Sequence, residues 1–129
     1  MNYKGKPPKI MTEVVEFAEE SYPVVNRFSD SNDPVIIGLG RNVTPYISGL
    51  VVKLYGENKK PELPFIGDIR TAKKSIIAML KEEISGKKAI GIDLTFDSGT
   101  EALLKEMLND IEYEGFLYIS IHPFDYKKL

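Results

Sequence analysis

Apolar positions along this chain follow two alternating rhythms. Short continuous apolar runs bounded by turn residues alternate with longer stretches in which apolar residues recur every three or four positions. The first rhythm is that of buried strands and the second that of amphipathic helices. Runs at 35–39, 63–67, 88–93 and 116–121 predict four strands. Pro64 demotes the second run toward a sheet edge, because proline cannot donate to a ladder. Between the runs, Ile47, Leu50, Val51 and Leu54 repeat at helical spacing after Thr44-Pro45, a cap residue followed by proline, and Gly56 is the stop. Ile76, Ile77, Leu80 and Ile84 predict a helix over 71–85, closed by Gly86. Leu104, Met107, Leu108 and Ile111 predict another from about Ser98 to Glu112. Ahead of the first strand, Val14, Val15, Phe17 and Ala18 predict a helix capped by Thr12. Pro23 is expected to end or kink it, with Val24, Val25 and Phe28 adding a further turn or two. Ser29–Pro34 is a turn cluster.

The resulting order is one helix followed by β-α-β-α-β-α-β. Strands alternating with helices imply right-handed crossovers and a mainly parallel four-stranded sheet covered on both faces. The expected architecture is a three-layer α/β sandwich with an extra N-terminal helix, built as a single domain over 1–129. Residues 1–9, rich in lysine and proline, are expected to be a loose tail.

Composition narrows the chemistry. The net charge is −2, so no basic field favours nucleic acid or an anionic membrane. There is no cysteine, which removes thiolate catalysis, disulfides and cysteine metal sites. His122 is the single histidine, so any histidine-based triad would be built around it. The first residues lack an apolar leader, and no run reaches the ~20 residues of a membrane helix. A cytoplasmic protein is the expectation.

Two loops carry candidate chemistry. In open α/β sheets, ligands sit beyond the carboxyl ends of the strands. Gly38-Leu-Gly-Arg-Asn-Val-Thr44 leaves the first strand and enters a helix. Gly38 and Gly40 allow close backbone approach, Arg41 offers a guanidinium, and Asn42 adds a polar side chain beside the helix start. The loop is neither a dinucleotide fingerprint, since Val43 stands where the third glycine belongs, nor a P-loop, since no Gly-Lys-Ser/Thr closes it. The second loop runs from Asp93 to Glu101. Asp93 ends a strand, where a carboxylate reaches a ribose hydroxyl or a cation. Asp97 is placed to act as general base or to orient a ligand. Ser98, Gly99 and Thr100 offer hydroxyl and amide groups to a phosphate. Ser98-Gly-Thr-Glu101 also reads as a capping box, which assigns Ser98 and Glu101 to the helix end. Asp68 and Arg70, after the second strand, are expected to face the same end of the sheet as these loops, and read as a helix-start acid and a surface arginine.

The second loop resembles the phosphoribosyl-pyrophosphate loop of the type I phosphoribosyltransferases. There an apolar strand ends in two acids, followed by two apolar residues and a Thr-Gly-x-Thr turn. Asp93 falls at the first acid, Thr95-Phe96 at the intervening pair, Asp97 at the base position and Ser98-Gly99 at Thr-Gly. Leu94 replaces the second acid and Glu101 the final threonine. Val35-Ile-Ile-Gly-Leu-Gly-Arg-Asn42 resembles the family's first strand and pyrophosphate loop, in the same order along the chain. The resemblance implies a phosphoribosyltransferase-like or Rossmann-like fold and a nucleotide or sugar-phosphate ligand. It also implies Mg²⁺ as a candidate cofactor and, for an active member, transfer or hydrolysis of a phosphoribosyl group. The departures keep open a domain that retains the fold and binds a ligand or a partner protein without transfer. The sequence fixes neither metal dependence nor oligomeric state.

Overall fold

The computed structural model describes residues 9–30, 32–94 and 99–121. In chain order the elements are α1 (Lys9–Ser29), β1 (Val35–Leu39), a 3₁₀ turn (Arg41–Val43), α2 (Thr44–Gly56), β2 (Glu62–Gly67), α3 (Lys74–Ile84), β3 (Lys88–Asp93), α4 (Gly99–Met107) and β4 (Gly115–Ser120). The four strands form one sheet in the order β2-β1-β3-β4, and every pairing is parallel.

Burial follows that order. All five residues of β1 are buried, as are the last five of β3, whereas β2 and β4 are half-buried or exposed. A central parallel strand is covered on both faces, so its sequence reads as an unbroken apolar run. That is why Val35-Ile-Ile-Gly-Leu39 and Ala89-Ile-Gly-Ile92 show no alternation with polar residues. Side chains still alternate between faces. Ile36, Ile90 and Ile92 pack with Val43, Ile47, Leu50 and Leu54 of the α2 side and with Val25 of α1. Val35, Ile37, Leu39 and Ala89 pack with Leu80 and Ile84 of α3 and Leu104 of α4. The three layers are thus α1 and α2, the sheet, and α3 and α4.

Pro23 does not end α1, and Val24, Val25 and Phe28 extend it as expected, whereas the expected helix ends meet a different outcome. Proline deprives the carbonyl four residues earlier of its donor. That carbonyl belongs to Glu19, and both residues lie on the exposed side, where solvent can replace the bond. Helix α1 also begins at Lys9, so Thr12 lies inside it, and α3 begins at Lys74, three residues later than the pattern suggested. α4 ends at Met107 and passes into a turn, although Leu108 stays buried.

α1 and α2 meet at a glycine. A Cβ on Gly49 would lie 2.6 Å from Val14 Cγ1 and 3.3 Å from the Val14 carbonyl oxygen. The same pair of helices is tied by Tyr46, which is buried and donates its hydroxyl to Glu13 Oε2 at 3.0 Å. Phe17 meets the Tyr46 ring edge-on at 5.8 Å.

Two predictions follow from this seam. Gly49→Ala is expected to destabilise the fold by about 1–3 kcal/mol, the usual cost of overpacking, and Val14→Ala in the same chain should recover part of the loss. Urea unfolding of the two single variants and the double variant checks the coupling. Burial pushes the Tyr46 hydroxyl up to about 12, with the hydrogen bond to Glu13 and its negative charge adding to the rise. A raised folded pKa means that this stability is complete below the unfolded value of ~10 and is lost as pH climbs toward the folded one. Tyr46→Phe should therefore cost about 0.5–1.5 kcal/mol at neutral pH. That gap should close between ~10 and ~12 on the pH axis, as unfolding of both proteins across the range would show.

Candidate functional site

All four strands end level with one another. Leu39 pairs with Gly67 of β2 on one side and with Asp93 of β3 on the other, and Asp93 pairs with Ser120 of β4. Because all pairings are parallel, the turns after β1, β2 and β3 share one edge of the sheet. From β1 the chain moves outward to β2, then returns past β1 to β3. The reversal falls between β1 and β3, the position at which a crevice opens in a doubly wound sheet.

One wall of that crevice follows β1. Gly40 has φ +110° and ψ 149°, a backbone conformation that side chains rarely adopt, although a Cβ there would meet nothing within 4 Å. Glycine is required at this point for conformation and not for space. Its N–H donates to the Gly67 carbonyl at 2.5 Å, which closes the β1–β2 ladder. The 3₁₀ turn follows, anchored by buried Val43, and presents Arg41 and Asn42 to solvent. Thr44, expected as a cap, is the first residue of α2, and its hydroxyl donates back to the Arg41 carbonyl at 2.8 Å. Gly38 sits inside β1, where a Cβ would fall 2.7 Å from Ile47 Cδ1 and 3.0 Å from Ile66 Cγ2. Close packing of α2 on the sheet accounts for a glycine there.

The other wall follows β3. Asp93 is 5 % exposed, and its carboxylate accepts the Tyr118 hydroxyl proton at 2.5 Å. Its carbonyl accepts the Ile121 N–H at 2.7 Å, so both main chain and side chain are fixed. Gly99 is exposed at the start of α4, and Thr100 beside it is buried. Glu101 pairs with Lys105 one turn on, at 3.0 Å. Asp97 and Ser98 lie outside the described residues, and so do Thr95, Phe96 and His122.

Arg70 is exposed at this edge, the end of the sheet at which the sequence placed it, and the structure adds the partners that hold it. Its N–H donates to Asp68 Oδ1 at 2.9 Å, a turn in which aspartate stands in for a backbone acceptor. Ile69, between them, is 2 % exposed and pins the turn to the core. The guanidinium reaches α4, where Nη2 donates to Thr100 Oγ1 at 3.2 Å. The available signal was the spacing itself, a turn-forming acid, an apolar anchor and a basic residue directly after a strand. Tyr118, which lies in the apolar run predicted as the last strand, proves to be the partner of Asp93. That role depends on the β3–β4 register, which no local pattern reveals.

Among the described residues, no group of three or more histidine and acidic side chains gathers as a metal-ligand set, and no helix is long and apolar enough to cross a membrane. A cavity of about 360 Å³ opens at the opposite, amino edge, lined by Asn32, Asp33, Glu62, Lys87, Lys88 and Glu114 among others. Several of its polar groups are already engaged. Glu62 pairs with Lys87 at 3.2 Å, and Asp33 accepts the Lys60 N–H at 3.0 Å. Comparison with known proteins finds no matching family model, no similar curated protein and no matching solved structure.

The Asp93–Tyr118 contact is testable by itself. Tyr118→Phe keeps the ring and removes the donor, leaving a buried carboxylate without that hydrogen bond. A loss of about 1–3 kcal/mol is expected. Asp93→Asn retains an acceptor for the tyrosine and should cost less. Denaturant midpoints of the two variants decide between this ordering and a contact of no energetic consequence.

Proposed function

We propose that this protein binds a phosphorylated small molecule, a nucleotide or sugar phosphate, at the carboxyl edge of its sheet in the manner of a phosphoribosyltransferase-like domain. The observation that carries the reading is the strand order. It puts the reversal between β1 and β3, and the turns that flank this point are the two that sequence singled out. Open α/β sheets bind ligands at that position. Gly40 lets backbone approach a ligand closely, the 3₁₀ turn after it starts without a side-chain cap, and Arg41 stands exposed beside it. On the facing wall, Gly99 and Thr100 open α4, whose first amide groups favour an anion.

The environment of Asp93 favours binding without transfer over catalysis. A carboxylate that holds a ribose hydroxyl or Mg²⁺ needs a face open to it, whereas this one is buried and already accepts a bond from Tyr118. The neighbouring position that carries a second acid in phosphoribosyltransferases is Leu94, a partly buried residue packed against the core of the α1–α2 side. In the catalytic version of the reading, Asp97 is the general base and Asp93 the group that orients the sugar.

Thermal unfolding in the presence of phosphoribosyl pyrophosphate, nucleotides and sugar phosphates, each with and without Mg²⁺, tests the proposal. A ligand present at a hundredfold its Kd stabilises by about 2.7 kcal/mol and should raise the melting temperature by a few degrees. A flat response across the whole panel would sink the reading. If a ligand is turned over, Asp97→Asn should slow turnover by about 10²–10⁴-fold without lowering the melting temperature.

A further inference from the structure

We draw no further inference here: the strongest candidate, the polar cavity at the amino edge of the sheet where Asp33, Glu62, Lys87, Lys88 and Glu114 gather, carries nothing, because among the described residues no buried unpartnered polar group is aimed into it and nothing in the structure points to a ligand that it would hold.

Discussion

The structure depends on one pairing, the in-register parallel alignment of β1 with β3. Those two strands are adjacent in the sheet although β2 and two helices separate them along the chain. The alignment buries both strands on both faces, which assigns a helix layer to each face. It also brings the ends of both strands to the same level, with Leu39 beside Asp93. Slipping the register by one residue would turn Ile90 and Ile92 from the α1–α2 core to the α3–α4 core. Packing therefore enforces the geometry of the crevice, and the side chains at its rim need not define it.

Much of the fold was legible because the central strands read as unbroken apolar runs and the helices as clean three-to-four spacings. Val35–Leu39 and Lys88–Asp93 match the observed strands at both ends. Strand ends defined by burial on both faces leave little freedom. Helix starts were less legible. Thr12, Thr44 and Thr71 each looked like the beginning of a helix, yet α1 and α3 begin elsewhere and Thr44 lies inside its helix as the first residue. A cap side chain contributes about 1 kcal/mol, which tertiary packing readily overrides. Lys73, for example, occupies a cap position without making a cap bond.

At the site, position was legible and partnership was not. Turns that follow strands in a βα unit must lie at the carboxyl edge, so Gly40, Arg41, Gly99 and Thr100 could be placed from order alone. The bonds from Tyr118 to Asp93 and from Arg70 to Thr100 join residues 25 and 30 apart in sequence. Each crosses from one βα unit to another, and no periodicity encodes it. Asp93 looked available from its place at the end of an apolar run. Its burial beneath a neighbouring strand's tyrosine became apparent only with the register.

Helix α1 lies outside the βα repeat, and this has a consequence for synthesis on the ribosome. The crossovers place α2 on one face and α3 with α4 on the other, so α1 completes the thinner layer beside α2. Val25 of α1 packs in the same cluster as Ile90, Ile92 and Ile121, and the Phe28 ring lies 3.4 Å from where a Cβ on Gly115 would stand. Helix α1 is therefore made before the strands that complete its cover. Its seam with α2 can close early, but the rest of its apolar face stays open until β3 and β4 have been made. A helix that waits in this way offers its apolar face to chaperones, and to neighbouring chains on the same message, until those strands are in place.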